Sequence, residues 1–306
     1  MISTHPGELI ALGAAVSWAM TALAFQQATR RAGSLSVNIL RLVIAFVLFG
    51  FVSLIIRGRF IPSDASPFAW TWLSVSGLVG FVFGDFCLFK SFEYMSARIS
   101  MLVMAINPLF AAAIGWFTLN ETMGLKALFA MTITLGGIAL VVMERKKGNP
   151  AEKKNRNGLR FSYPVKGLLF AFGGAIGQAT GLVLSKYGMG DYNVFAATHI
   201  RIIAGVIGFI LIIFFTKRWT RVHEALRNKK TMLFIGVGAF FGPFIGVFLS
   251  LLSIKYTSVG IASSIMSIVP VIIIPPAILL YREKITMIEI IGAIVAVCGV
   301  LLYFIV

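Results

Sequence analysis

One apolar segment occurs twice in this chain, and this internal repeat constrains the fold more than any other feature. Pro108 recurs 162 residues later as Pro270, and each proline is followed thirteen residues on by a glutamate, Glu121 or Glu283. Eight ordered pairs match at an offset of 160 or 162: Gly7 and Gly167, Gly13 and Gly173, Arg41 and Arg201, Gly80 and Gly242, Gly84 and Gly246, Tyr94 and Tyr256, and the Pro and Glu pairs. The chain is therefore predicted to contain two copies of one module.

Each copy has the hydropathy of a membrane protein. The mean hydropathy is +0.93 and 12% of residues are charged, against about 25% in soluble domains. Ten apolar runs are each long enough to cross roughly 30 Å of hydrocarbon as a helix; they are about 8–29, 35–56, 68–89, 96–118, 124–143, 164–186, 194–216, 231–254, 259–280 and 286–306. Backbone polar groups in lipid must be paired within each segment, which favours helices. The predicted fold is an all-α membrane protein with ten transmembrane helices.

The repeat divides the chain into three parts. Residues 1–143 form the first five-helix repeat, residues 144–166 a basic, polar linker, and residues 167–306 the second five-helix repeat. Because five is an odd number, the second copy must enter the membrane from the opposite side. The sequence thus predicts inverted repeats, an arrangement typical of secondary transporters with a binding site between the halves.

The net charge of +16 follows the membrane topology. Twenty Lys and Arg residues fall in the loops after odd-numbered runs and five in the other loops. By the positive-inside rule, the linker lies in the cytoplasm and both termini lie outside. The basic loops are expected to contact anionic lipid headgroups rather than nucleic acid. Since the first run is too long for a signal core, no cleaved signal is expected.

Several classes of protein are excluded by missing motifs. The chain has no phosphate-binding G-x-x-x-x-G-K-[ST] loop, so ATP is not expected to drive it directly, and no H-E-x-x-H or G-x-S-x-G motif. Cys87 and Cys298 lie within apolar runs, where a thiol is typically a small packing residue. We therefore expect no metal, no cofactor and no enzymatic activity.

Asp85 is the most informative candidate site residue. It lies within the third run with no charged residue before Lys90, and a carboxylate there is costly unless it faces a cavity or a partner. Two interpretations are open: a proton or cationic-substrate site, or an ion pair with a basic residue. Its repeat equivalent is Val247, so the fold itself does not require Asp85.

Other titratable residues in or beside the runs have structural and functional interpretations. Arg41 and Arg201 could snorkel to the surface, take a gating role or contact substrate; a structural or gating role is favoured because both repeats have one. His199 has Ile39 as its equivalent and is interpreted as an interfacial hydrogen-bonding group, with a proton relay as the alternative. Glu121 and Glu283 each precede a helix and are expected to stabilise its N-terminal dipole.

Prolines and buried polar residues complete the predicted site. Pro108, Pro243 and Pro270 interrupt helices, and interrupted helices in matching places indicate either a binding site or a static bend. Substrate-binding candidates are the polar residues near mid-span, together with Asp85: Trp18, Thr21, Asn107, Gln178, Ser264 and Ser267. The serines could equally join helices by hydrogen bonds. The pocket is predicted between helices 1, 3 and 4 and helices 6, 8 and 9.

The duplicated motifs resemble a known family. They are Asn38–Arg41, Tyr94–Glu121, Thr198–Arg201 and Tyr256–Glu283. Together they are similar to the EamA-like permeases of the drug/metabolite transporter superfamily, and the resemblance covers essentially the whole chain. It implies a bacterial inner-membrane carrier with ten helices that exports metabolites. Members move amino acids, other metabolites, nucleotide sugars or drugs, so the resemblance does not specify the substrate.

The sequence therefore predicts a secondary transporter that exports small metabolites, with amino acids as the leading class, by alternating access. The alternative is an exporter of multiple drugs or cationic compounds with Asp85 as the cation site. Protons are a candidate coupling ion, again through Asp85. Ten helices are enough to enclose a pathway, so a monomer is sufficient. An intramembrane enzyme or a non-transporting sensor is disfavoured, because the titratable residues are scattered and the prolines are repeated.

Overall fold

The computed structural model describes residues 5–143, 164–281 and 287–304, and this part of the chain is helical with no strand. Glu283 and most of the predicted linker lie outside the described residues. We number the helices α1 (Pro6–Ala32), α2 (Ser34–Arg57), α3 (Pro67–Tyr94), α4 (Ala97–Leu119), α5 (Leu125–Met143), α6 (Val165–Met189), α7 (Val194–Thr216), α8 (Trp219–Arg227), α9 (Lys229–Tyr256), α10 (Val259–Met266, Val269–Ile272 and Ile274–Tyr281) and α11 (Met287–Leu302).

Every apolar run of the sequence is helical over its described residues, apart from the interruptions given below. In the part of the chain that the structure describes, eight helices are long and apolar enough to cross a membrane. Two shorter apolar segments there, Leu125–Gly137 in α5 and Ile290–Leu302 in α11, lie within the fifth and tenth runs. The all-helical membrane fold is thus confirmed, while the count of ten spans stays a prediction.

Helix α8 differs from the loop that hydropathy predicts here, because its sequence is basic. Its nine residues bury Val222 and Ala225 and leave the charged Arg221 and Glu224 exposed. A short helix with a narrow apolar stripe and a charged outer face has the composition of a loop but the periodicity of an amphipathic helix.

Equivalent helices of the two repeats run in opposite directions. In α2 and α7, the ring centroid of Phe46 lies 5.4 Å from that of His199, while Phe49 lies 4.5 Å from Phe195. Residue numbers thus rise along one helix as they fall along its partner. The helices α5 and α11 show the same antiparallel contact, since a Cβ on Gly299 would lie 2.9 Å from the Cα of Thr134 and one on Gly137 2.8 Å from the Cα of Ala296. The two repeats are therefore inverted.

The repeats contact each other through mirrored helix pairs. Helix α6 packs on α3, and its repeat equivalent α1 packs on α9. At the α3–α6 crossing the backbones meet at glycine: a Cβ built on Gly177 would lie 2.6 Å from the Cα of Gly84. At the α1–α9 crossing, a Cβ on Gly242 would lie 2.7 Å from the Cγ2 of Thr21. Small residues at both crossings permit this close approach.

The substitution Gly177→Ala is expected to separate α3 from α6 and to destabilise the protein by about 1–3 kcal/mol, the usual cost of overpacking. The added methyl group would press on the backbone of Gly84, which cannot rotate away. Thermal unfolding in detergent measures the effect. Gly136→Ala in α5 is the matched control, since nothing lies within 4 Å of its new Cβ. Equal melting temperatures for the two variants would show that the crossing is not tightly packed.

Four helices are interrupted at equivalent places. Leu78–Asp85 in α3 and Phe240–Gly246 in α9 are π-helical, and the latter contains Pro243. Helix α4 breaks before Asn107 and Pro108, and α10 breaks before Pro270, since a proline lacks the N–H that the helix would use. Insertions of π-helix are frequent at functional sites, and all four interruptions lie near the contact between the repeats.

Candidate functional site

A cavity of about 120 Å³ lies between the two repeats, at the level of these interruptions. It is lined by residues of α1, α3, α4, α6, α9 and α10, which are the helices of the predicted pocket. Arg201 of α7 also lines it, although the sequence does not predict α7 as part of the pocket. Most of the lining side chains are apolar. The polar and charged ones are Trp18, Asp85, Asn107, Gln178, Arg201, Ser250, Ser263 and Ser267.

The carboxylate of Asp85 is held by two partners. One oxygen forms an ion pair with Arg41 of α2, and the other accepts a hydrogen bond from the side-chain amide of Gln178 on α6. Arg41 is itself fixed, because its Nε donates to Asn38 Oδ1 at 3.1 Å and its guanidinium lies 4.6 Å from the ring centroid of Phe89. The structure thus places Asp85 in an internal ion pair, the second of the two roles that the sequence leaves open.

Burial distinguishes this pair from a surface ion pair. The side chain of Arg41 is 0% exposed and that of Asp85 is 1% exposed. Arg41 therefore does not snorkel to an end of α2. A buried pair of this kind is strongly coupled, since removing either partner leaves the other charge without compensation.

Arg201 is the repeat equivalent of Arg41, but no carboxylate of the described residues lies within ion-pair distance of it, and Asp85 acts on it only from farther away. The position equivalent to Asp85 is Val247, which is apolar. The side chain of Arg201 is buried and packs 4.9 Å from the ring centroid of Phe81. Within the described ranges it forms no hydrogen bond or ion pair, and its Nε is buried without an acceptor. The two repeats thus place one paired and one unpaired arginine around the same cavity.

The remaining substrate-binding candidates are divided between the cavity and the packing around it. Trp18 Nε1 donates to Ser250 Oγ at 3.1 Å, and Asn107 Nδ2 donates to the carbonyl of Ala175 at 3.4 Å. Ser267 lines the cavity and donates to the carbonyl of Ser264 at 2.6 Å. The bonds of Trp18 and Asn107 each join a helix of the first repeat to a helix of the second at the cavity wall.

Two candidates, Thr21 and Ser264, do not line the cavity. Each donates to a backbone carbonyl, that of Gly238 at 3.5 Å and that of Gly260 at 2.8 Å, respectively. Ser250 was missed by the sequence analysis. Its position three residues after Val247, on the same face of α9, could have indicated it.

His199 lies away from the cavity in an aromatic cluster. Its ring centroid is 5.4 Å from that of Phe46, 6.0 Å from Phe49 and 6.1 Å from Phe60. The side chain is fully buried and neither ring nitrogen has a hydrogen-bond partner among the described residues. The expected interfacial hydrogen bond is therefore absent in this part of the chain, and the ring acts as a packing group.

Glu121 stabilises a different helix from the expected one. Its Oε2 accepts from the backbone N–H of Val259 at 2.8 Å, at the N-terminus of α10 rather than α5. Its Oε1 pairs with Lys186 at 2.5 Å, and Lys186 also donates to the carbonyl of Thr257 at 2.8 Å. We call Glu121, Lys186, Thr257 and Val259 the latch. It joins the first repeat to the second at the end of the molecule where α6 terminates.

A second polar contact between the repeats lies at the same end. The hydroxyl of Tyr192, in the α6–α7 loop, donates to Asp64 at 3.1 Å, and Arg57 pairs with Asp64 at 2.6 Å. Partial burial acts to raise the pKa of the Asp64 carboxyl, but its backbone hydrogen bond, the Tyr192 hydroxyl and the charges of Arg57 and Arg59 hold that pKa below its usual value. Asp64 is therefore ionised at neutral pH, and charged groups join the two repeats at this end.

Comparison with known proteins agrees with this architecture. The model of the EamA-like transporter family matches residues 5–143 and again residues 165–305. An uncharacterized transporter of Clostridium kluyveri is 24% identical over 228 residues, which is 74% of this chain and 70% of that protein. A solved crystal structure shares the fold, with a TM-score of 0.73 and 17% identity over 98% of this chain and 96% of that one. The chain is thus a multi-pass membrane transporter that belongs to the EamA-like transporter family.

Proposed function

We propose that this protein exports small metabolites, with amino acids as the leading class, through the cavity between its two repeats. The observation that carries the proposal is the position of the cavity. It is bounded by both repeats and lies beside the interruptions of α3, α4, α9 and α10. Binding sites of transporters with inverted repeats lie at such places, because broken helices can present polar groups to a substrate.

The same geometry supports alternating access as the mechanism. The latch closes one end of the interface between the repeats. Rocking of one repeat against the other would break the latch and open the cavity toward that end. The mirrored crossings of α3 with α6 and of α1 with α9 would act as pivots. One chain supplies both repeats, so a monomer is sufficient to form the pathway.

The cellular setting is proposed from the charge distribution. The basic loops after odd-numbered runs support an orientation with the latch end outside and the α5–α6 connection in the cytoplasm of a bacterial inner membrane. Export, rather than uptake, is proposed because the ten-helix bacterial permeases that the sequence resembles are mostly exporters. The basic loops would contact anionic headgroups on the cytoplasmic side.

The alternative, a cationic-compound exporter, receives less support from the geometry. It needs a carboxylate free to bind the cation, but both oxygens of Asp85 are already bound by Arg41 and Gln178. The nearby guanidinium of Arg201 would also repel a cation. The same contacts weigh against Asp85 as the carrier of a coupled proton, because a proton there would have to disrupt the ion pair.

Transport of radiolabelled amino acids into proteoliposomes tests the proposal. We expect saturable flux for small apolar amino acids, and little competition by quaternary ammonium compounds. The assay repeated with an imposed pH gradient decides whether protons are coupled. Protein-free liposomes are the control. Flux of hydrophobic cations without flux of any amino acid would replace this proposal by the cationic alternative.

A further inference from the structure

We propose that Arg201 is the receptor for a substrate carboxylate, and that the protein is therefore selective for small monocarboxylates with an apolar body. This inference rests on the proposed function and names its substrate class. A guanidinium that lines a cavity at 3% exposure, with no ion pair or hydrogen bond in the described ranges, is costly unless an anion joins it. The unpaired Nε shows that its hydrogen-bonding capacity is unused.

The charge of the cavity wall limits the substrate to an anion. Asp85 lines the cavity, but Arg41 neutralises it from behind, and Gln178 binds its second oxygen. Arg201 then leaves this group of three charges with a net charge of +1. The asymmetry arises from a single repeat position, since Val247 stands where the first repeat has Asp85.

A carboxylate fits this charge better than a phosphate does. The planar guanidinium can bind either group through two parallel hydrogen bonds. A monocarboxylate carries one negative charge and would neutralise the site, whereas a phosphate monoester carries about two at neutral pH and would leave one uncompensated in a mostly apolar cavity. The single unpaired arginine therefore favours the carboxylate.

The size of the cavity and its remaining polar groups specify the rest of the molecule. An apolar cavity of about 150 Å³ holds a benzene ring, so the 120 Å³ here suits a body of about four to six carbon atoms. Ser263 also lines the cavity, and its hydroxyl has no hydrogen-bond partner among the described residues. It can accept a hydrogen bond from an ammonium or hydroxyl group, but as a neutral group it contributes less than Arg201. A carboxylate is thus required, and an amino group is tolerated.

Competition with labelled leucine flux in proteoliposomes tests whether the carboxylate matters more for recognition than the amino group does. We expect 4-methyl-2-oxopentanoate, which keeps the carboxylate and lacks the amino group, to compete with leucine. Leucine methyl ester and isoamylamine, which lack the carboxylate, should not compete. The opposite pattern, with competition by the amine and the ester, would overturn the proposal even though transport of leucine would stand.

Substitution of Arg201 tests the residue itself. Arg201→Gln should raise the half-saturating leucine concentration about 10- to 100-fold, since a charged hydrogen bond is lost, and should abolish competition by the oxo acid. Arg201→Lys, which keeps the charge, should retain part of the affinity for leucine and part of the competition by the oxo acid. Lys126→Gln removes an exposed charge on α5 and is the matched control, with flux unchanged. Unchanged saturation and competition in Arg201→Gln would exclude a role in recognition.

A binding measurement separates failure of this inference from failure of the proposed function. If the wild type transports no amino acid, the proposed function fails. The oxo acid anion should still raise the melting temperature of the purified wild-type protein, because it binds only the folded state, and should not raise that of Arg201→Gln. Arg201→Gln is expected to fold, because it removes an unpaired buried charge rather than half of an ion pair. Absence of stabilisation in the wild type would overturn the inference independently of transport.

Discussion

The substitution Asp85→Asn is expected to lower the free energy of unfolding by about 3–5 kcal/mol, the usual effect of removing one partner of a buried ion pair. Arg41 would keep its charge at 0% exposure with neutral acceptors in place of a carboxylate, the side-chain carbonyls of Asn38 and of the introduced asparagine. Asparagine has nearly the shape of aspartate, so the loss would come from charge rather than from packing. Transport is expected to fall with the amount of folded protein.

Thermal unfolding in detergent, compared across the wild type and three variants, measures this effect. The double substitution Asp85→Asn with Arg41→Met should recover much of the lost stability, since an apolar replacement of a buried pair is often nearly neutral. Asp64→Asn is the matched control. Its carboxylate is 34% exposed, so its loss should cost no more than about 1 kcal/mol. Equal stability of Asp85→Asn and the wild type would show that the buried pair does not stabilise the fold.

The substitution Glu121→Gln is expected to open the latch end of the cavity. It removes the charge that pairs with Lys186 and weakens the bond to the N–H of Val259, two contacts that join the repeats. Charged hydrogen bonds of this kind contribute about 1.5–3 kcal/mol when partly buried. Because the contacts exist only in the closed arrangement, the population open at this end should rise about tenfold or more.

Thiol labelling follows this opening. Leu182 lines the cavity one helical turn before Lys186, so Leu182→Cys reports access from the latch end. With Cys87→Ser and Cys298→Ser as background, a membrane-impermeant maleimide should react about tenfold faster when Glu121→Gln is added. Substitution of the exposed Glu224 on α8 by glutamine is the control and should leave the rate unchanged. Equal rates with and without Glu121→Gln would show that the latch does not hold this end closed.

Most of the architecture could be predicted from the sequence, because it rests on local and periodic signals. Apolar runs of spanning length specify the helices, and the Pro108 and Pro270 pair specifies where α4 and α10 break. An odd number of helices per repeat implies the inversion that α2 and α7 show. The helix α8 was missed for the same reason, since a window that measures mean hydropathy does not detect a nine-residue amphipathic helix.

The details of the site could not be predicted, because they depend on contacts between distant positions. Asp85 and Arg41 are 44 residues apart, and Glu121 and Val259 are 138 apart. The sequence showed that Asp85 needs a partner and that Glu121 could stabilise a helix N-terminus, but not which partner or which helix. The matched pair Arg41 and Arg201 suggested equal roles. Only the packing shows that Val247 leaves the second arginine unpaired at the cavity.

Covalent blocking of the cavity tests most directly whether the substrate crosses the protein there. Ser267 lines the cavity beside the break of α10. Ser267→Cys, with Cys87→Ser and Cys298→Ser as background, should transport leucine before treatment, lose nearly all flux after reaction with a maleimide, and react more slowly when leucine is present. The untreated variant and the treated background are the controls. Full leucine flux through the completely labelled variant would contradict a pathway through this cavity.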